Sequence, residues 1–214
     1  MPVEGMQYPA NLVLAGRRVL VVGAGAVAAR KVEGLLACGA DVVVVAPAAG
    51  DAMRALAESG EIRLHERPYR PSDLDGVWLA VTATDDRKVN RAVYEDGEAR
   101  RIWVNAADDP ASCSFTLPSV VRQGPVMVTV ATGGHSPALA TWLSRHVAGE
   151  LGPEYAQLAL LLAEERERLQ AEGRSTEGLN WLKALDSGML ELIRLGDVGQ
   201  AKERLQACLS SSSG

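Results

Sequence analysis

The chain has 214 residues, of which 47% are hydrophobic, and carries a formal charge of -5. That length supplies one good hydrophobic core and an appended piece, and the acidic balance argues against a nucleic-acid protein. Arg, Asp or Gly interrupts every apolar run before it reaches membrane-spanning length, so no membrane association is expected.

The opening MPVEGMQYPANLVLAG has no basic stretch followed by an uninterrupted apolar one, and a cytoplasmic protein is expected. The three cysteines, Cys38, Cys113 and Cys208, are far apart without paired spacing. Neither a disulfide framework nor a zinc knuckle is suggested, and no bound metal is expected.

In chain order, Val19–Val22 is a β-branched aliphatic run that predicts a strand. A helix is predicted from Val27 to Cys38 and a second strand at Val42–Val45. A helix over Asp51–Ser59, an alternating strand over Ile62–Glu66 and another strand within WLAVTAT at 78–84 follow. Asp85 is a plausible N-cap for a helix marked by Val89, Ala92 and Val93, with Asp86 favoured by the helix dipole, and Ile102–Asn105 is one more strand. Alternating βα units predict an α/β fold, a Rossmann-like parallel sheet with helices on both faces. Ligands of such sheets bind beyond the carboxyl ends of the strands, where the strand order reverses.

The run Gly23-Ala24-Gly25-Ala26-Val27-Ala28 falls between the first strand and the first helix. Gly23 permits the tight turn, Gly25 leaves room for a pyrophosphate, and Ala28 lets the helix sit close to the sheet while its first amides face the anion. A dinucleotide is the expected ligand. Val45-Ala46-Pro47-Ala48 ends the second strand with no carboxylate for the ribose hydroxyls, so main chain around Pro47 and Ala48 must serve, and no Arg precedes Arg54 to hold a 2′-phosphate. NAD is favoured over NADP.

Taken together, GAGAVAARKVEGLLACGADVVVVAP at 23–47, ATDDRKVNRAV at 83–93 and VNAADDPASCSFTLPSVVRQGPVMVTVATGGHSPALATWL at 104–143 resemble the precorrin-2 dehydrogenase family, the equivalent of the amino-terminal module of siroheme synthases. The resemblance covers most of residues 17–147. Ala24 replaces a frequent glycine and Ala106-Ala107 replace larger aliphatics. It implies NAD-dependent oxidation of precorrin-2, a reduced tetrapyrrole, to sirohydrochlorin on the way to sirohaem. Some members also insert ferrous iron, which leaves a ferrochelatase activity open here. A free-standing form and a homodimer, with the segment from Cys113 to Val147 exchanged between subunits, are further implications.

Asp108 follows the strand at 102–105, beside the expected place of a nicotinamide ring, and a carboxylate there can take the proton that leaves as a hydride departs. By itself Asp108-Asp109-Pro110 also reads as an ordinary turn; the match to the family's motif aspartate selects Asp108 as the catalytic residue. Thr84 and Asp85 reach the same crevice and are candidates for the cofactor ribose. Gly133, Gly134, His135 and Ser136 form a strand-to-helix joint, with Ser136 as N-cap and Pro137 at the first helical position, and are the substrate-binding candidates. Arg122, Arg145 and His146 could answer tetrapyrrole carboxylates, although each alone reads as a surface charge.

Ser114–Leu117 and Val126–Ala131 look like two further strands. Beyond Leu151, Leu158, Leu161, Leu162 and Leu169 form an apolar face against Glu164, Glu165, Arg166 and Arg168. Leu179, Leu182 and Leu185 form a second face, and Asp197 caps a helix carrying Leu205 and Leu209. The expected organisation is an NAD-binding domain over 1–112, a dimerisation and substrate-cleft segment over 113–147, a helical domain over 148–209 and a disordered tail over 210–214. A non-catalytic NAD-binding redox sensor is the alternative, but no DNA-reading or channel-docking element is evident. A short-chain dehydrogenase needs Tyr-x-x-x-Lys, whereas Tyr8, Tyr69, Tyr94 and Tyr155 are followed four residues on by Leu12, Asp73, Glu98 and Ala159.

Overall fold

The computed structural model describes residues 5–107 and 109–210. Asp108 and the tail from 211 to 214 lie outside them, whereas Ser210 closes the last helix. Contacts divide the chain into two compact units, Met1–Leu117 with Gly133–His135 and Pro118–Thr132 with Ser136–Gly214.

The first unit contains β1 (Arg18–Val22), α1 (Ala26–Leu36), β2 (Asp41–Ala46), α2 (Asp51–Glu58), β3 (Ile62–Glu66), β4 (Leu79–Thr82), α3 (Arg87–Arg100) and β5 (Trp103–Ala106). The strands pair in parallel in the order β3-β2-β1-β4-β5. Both faces of this sheet are covered, which is why its central strands are continuous apolar runs. Val19 and Val21 point to the side where Ala28, Val32, Val42, Val44 and Met53 pack. Leu20 and Val22 point to the other, with Leu74, Val93 and Val104. Each such fully buried side chain contributes about 1.5–3 kcal/mol relative to exposure.

Close approach of α3 to the sheet depends on Gly97, where a Cβ would lie 2.4 Å from a Val104 methyl carbon. The N-cap of α3 is Asp86 rather than Asp85: its Oδ1 accepts from the amides of Lys88 at 2.8 Å and Val89 at 3.4 Å. The helix therefore starts one residue later than expected, and Asp85 is released from capping.

Ser114–Leu117 is not a strand. The chain there runs back along the edge of β5: the Ser114 amide donates to Val104 O at 2.7 Å and the Asn105 side-chain amide to Phe115 O at 2.9 Å. With its polar groups used to cover that edge, the segment leaves hairpin formation to β6 (Ser119–Gln123) and β7 (Val126–Val130), paired antiparallel across Gly124 with φ 55°.

Helices α4 (Pro137–Glu150), α5 (Pro153–Ala171), α6 (Trp181–Ala184), α7 (Leu190–Arg194) and α8 (Val198–Ser210) complete the second unit. Ser136 caps α4 as expected, its Oγ accepting from the Leu139 amide at 3.1 Å. Leu158, Leu161, Leu169, Leu205 and Leu209 are buried in a common cluster with Ala184, Met189 and Ile193. Two expected faces differ. Glu165, read as polar surface, is 1% exposed and is held by two hydrogen bonds from Arg168, at 2.6 and 3.0 Å, and one from Gln206 at 3.1 Å. Leu182, read as core, is 73% exposed, because α6 is only four residues long and passes into a π turn at Leu185–Met189 whose Gly188 has φ 87°. The helical register breaks there, and Ala184, Met189 and Ile193 take the inner face.

Candidate functional site

From β1 the chain passes through α1 to β2 and then β3 on one side, and crosses to β4 and β5 on the other. The strand order therefore reverses between β1 and β4, and the residues that leave those strands at their carboxyl ends flank the crevice. Gly23 follows β1, Ala83 and Thr84 follow β4, and Ala107 follows β5. The ladder runs one step past the strands: the Gly23 amide donates to Val45 O at 2.9 Å, Ala83 to Val22 O at 2.8 Å and Ala107 to Thr82 O at 2.8 Å.

Gly23 has φ 111°, and a Cβ there would lie 2.3 Å from the Ala83 carbonyl oxygen, so only glycine makes this turn. Gly25, the N-cap of α1, is the opposite case, since a Cβ on it would meet nothing within 4 Å. The first turn of α1 has no side-chain cap and no acidic residue. Its leading amides, from Ala26 to Ala28, have no carbonyl of the preceding turn to bond and are available to an anion in front of Gly25. This bare surface and uncapped helix start fit a dinucleotide pyrophosphate. Pro47 and Ala48 are exposed just past β2 on the same edge.

A cleft of about 200 Å³ opens at the switch point, lined by Val27, Ala83, Thr84, Asp85, Arg87, Asn90, Ala107 and Asp109. Val27, Thr84 and Asp85 were expected from the sequence; Arg87, Asn90 and Asp109 were not. Asn90 is 3% exposed, on the inner stripe of α3 with Val93 and Gly97. Its signal in the sequence is an amide at helical spacing within an apolar stripe.

The turn after β5 is tied by Cys113 and Ser112. The Cys113 Sγ accepts from the Ala106 amide at 3.2 Å, and its S–H faces the carbonyl oxygens of Ala106 and Asp109, each at 3.3 Å. Burial pushes this thiol above its ordinary pKa; the Asp109 charge adds to the rise, and the Ala106 amide opposes it. Ser112 Oγ donates to Asp109 Oδ2 at 2.8 Å. Asp108, expected as the catalytic residue, lies outside the described residues. Gly133, Gly134 and His135 belong by contacts to the sheet unit and Ser136 to the helical unit. None of the four lines the cleft.

Among the described residues, no helix is long and apolar enough to cross a membrane. A family described as putative NAD(P)-binding matches residues 10–119. The siroheme synthase of Photorhabdus laumondii is 34% identical over 97% of this chain and 45% of its own length, and that of Nitrosococcus oceani is 35% identical over 95% and 44%. The chain thus spans less than half the length of these curated relatives. Among solved structures, SirC, precorrin-2 dehydrogenase, aligns with TM-score 0.73 and 27% identity over 94% of this chain and 98% of its own. With a match over more than half of its length, the chain belongs to the putative NAD(P)-binding family.

Proposed function

We infer that the chain is an NAD-dependent precorrin-2 dehydrogenase that forms sirohydrochlorin in sirohaem biosynthesis, acting as a homodimer in the cytoplasm. The observation that carries this reading is the alignment with a precorrin-2 dehydrogenase over nearly the whole of both chains. Both proteins share the sheet and the helical part, beyond the cofactor-binding motif alone. Bound NAD would supply the hydride acceptor. The chain's own part is to seat the pyrophosphate at Gly25 and the start of α1, to border the ring side of the cleft with Thr84, Asp85 and Ala107, and to remove the substrate proton. We assign that proton to Asp108, and assign Gly133, Gly134, His135 and Ser136 to the substrate.

Anaerobic mixing with precorrin-2 and NAD, followed by absorbance spectroscopy, tests the reading. Sirohydrochlorin and NADH should form together, and Asp108→Asn should be slower by about 10²–10⁴-fold with NAD binding retained. Absence of NADH formation refutes the activity, and a wild-type rate in Asp108→Asn refutes the base.

A further inference from the structure

We propose that Arg87 binds a carboxylate of the tetrapyrrole substrate at the rim of the switch-point cleft. The proposal rests on the reading of that substrate as precorrin-2.

Arg87 opens α3 and Asn90 follows three residues later, so the two share one face of the helix, and both line the cleft. Asn90 is buried and spends its side chain on Thr84, whereas Arg87 is exposed. Among the described residues that line the cleft, Arg87 is the one cation, and Asp85 and Asp109 are the carboxylates. It forms no hydrogen bond or ion pair with any described residue. Asp109 accepts from Ser112 Oγ at 2.8 Å instead, and the positions three and four residues along α3 hold Asn90 and Arg91, neither of which can neutralise a guanidinium. One turn further on the situation is different: Arg91 is held by Glu95 at 2.7 Å and lies over the Tyr94 ring, 5.4 Å from its centroid.

A cation at this position works against the fold. Arg87 and Lys88 stand at the positive end of the α3 dipole, where carboxylates are favoured, so the side chain returns nothing to the helix. What it offers is charge and donors at the cleft. Oxidised NAD carries a positive charge on its nicotinamide ring, which an acidic rim attracts and a guanidinium repels, and its pyrophosphate is assigned to the start of α1. A tetrapyrrole edged with carboxylates is the ligand that calls for a cation there. The planar guanidinium fork can donate two parallel hydrogen bonds to one carboxylate, which fixes orientation as well as affinity. Arg87 therefore binds substrate without taking part in hydride or proton transfer.

The test uses Arg87→Ala, Arg87→Lys and Arg87→Glu in the full-length protein. Anaerobic turnover with precorrin-2 and NAD gives kcat and KM, calorimetry gives NAD affinity, and absorbance titration with sirohydrochlorin reads tetrapyrrole binding without turnover. Arg87→Ala should raise KM for precorrin-2 and the sirohydrochlorin dissociation constant by about 10-fold, with kcat lowered by less than about 3-fold and NAD affinity held within about 2-fold. Arg87→Lys should recover part of the loss, and Arg87→Glu should exceed that of alanine. Added salt should raise the parent's KM more steeply than that of Arg87→Ala, because one screened attraction is already gone. The alanine variant should melt no lower than the parent, since a cation leaves the positive end of a helix. Parental KM and sirohydrochlorin affinity in both the Ala and Glu variants would overturn the proposal, and so would a loss of NAD affinity as large as that for the tetrapyrrole, which would move Arg87 to the cofactor. A parent that neither oxidises precorrin-2 nor binds sirohydrochlorin identifies the failure instead as that of the substrate reading.

Discussion

Asn90 and Thr84 exchange two hydrogen bonds at the wall of the cleft: Asn90 Nδ2 donates to the Thr84 carbonyl at 2.9 Å, and Thr84 Oγ1 lies 2.8 Å from Asn90 Oδ1. Because Asn90 is 3% exposed, water cannot readily replace either bond. Thr84, which leads out of β4 toward the cofactor crevice, is thus oriented by a side chain one helical turn into α3. Replacing Asn90 with Ala should cost about 1–3 kcal/mol of stability by chemical denaturation and weaken NAD. An unchanged midpoint together with an unchanged dissociation constant would remove Asn90 from any account of the site.

The two motif glycines should respond differently to alanine. Gly23→Ala meets the Ala83 carbonyl and a disfavoured φ, so the folded state should lose about 1–3 kcal/mol or more. Gly25→Ala has open space in front of it and should melt like the parent. Its NAD dissociation constant should nevertheless rise at least about tenfold, a loss of about 1.4 kcal/mol, because the methyl occupies the place assigned to the pyrophosphate. Calorimetric titration showing wild-type affinity in Gly25→Ala would put the pyrophosphate elsewhere.

Preference for NAD over NADP follows from the end of β2. The first basic residue after it, Arg54, is engaged by Glu66 through bonds of 3.1 and 2.9 Å. The arrangement keeps the guanidinium above its usual pKa, chiefly through the hydrogen bond from Arg54 to Glu66. A 2′-phosphate would have to compete with that carboxylate. Titration should show NAD binding more tightly, and Glu66→Gln should narrow the difference; equal affinities in the parent would contradict this.

Acid should loosen the helical unit through Glu165. The hydrogen bonds from Arg168 hold this carboxyl below the usual range, ahead of the opposing effect of burial, and Gln206 assists. A depressed folded pKa means that the stabilisation is complete above the unfolded value, near 4.3, and disappears as the pH falls through the lower folded value. Glu165→Gln should flatten the acid limb of a stability-against-pH curve, and at neutral pH Glu165→Ala should cost about 1–3 kcal/mol. Identical acid limbs in parent and Glu165→Gln would exclude the carboxyl as their source.

A homodimer is expected to use the hairpin and α4. Leu139 and Trp142 on that helix are 47% and 62% exposed, Val120 on β6 is 48% exposed, and the Trp142 ring stacks on His146 with centroids 5.8 Å apart. Light scattering at micromolar concentration should give a dimer mass, and Leu139→Asp with Trp142→Asp should shift it to monomer. A monomeric parent would refute the assembly.

Within the sheet, periodicity alone was enough. Val19–Val22 and Val42–Val45 are apolar at every position because parallel strands are buried on both faces, and the glycine run must sit where the first strand turns into the first helix. The tight turn out of β1 was legible for a similar reason: Gly23 reports a backbone requirement that a sequence records directly. Only the tertiary structure decided where polar groups are used. Asn90 reads as an ordinary helical residue until α3 lies on the sheet, and Cys113 reads as an incidental thiol until the chain turns back along β5. Glu165 and Arg168, three residues apart, read as exposed charges until α8 brings Gln206 against them. Hydrophobic spacing is a local property of the chain, whereas hydrogen-bond partners distant in sequence exist only after the elements have packed.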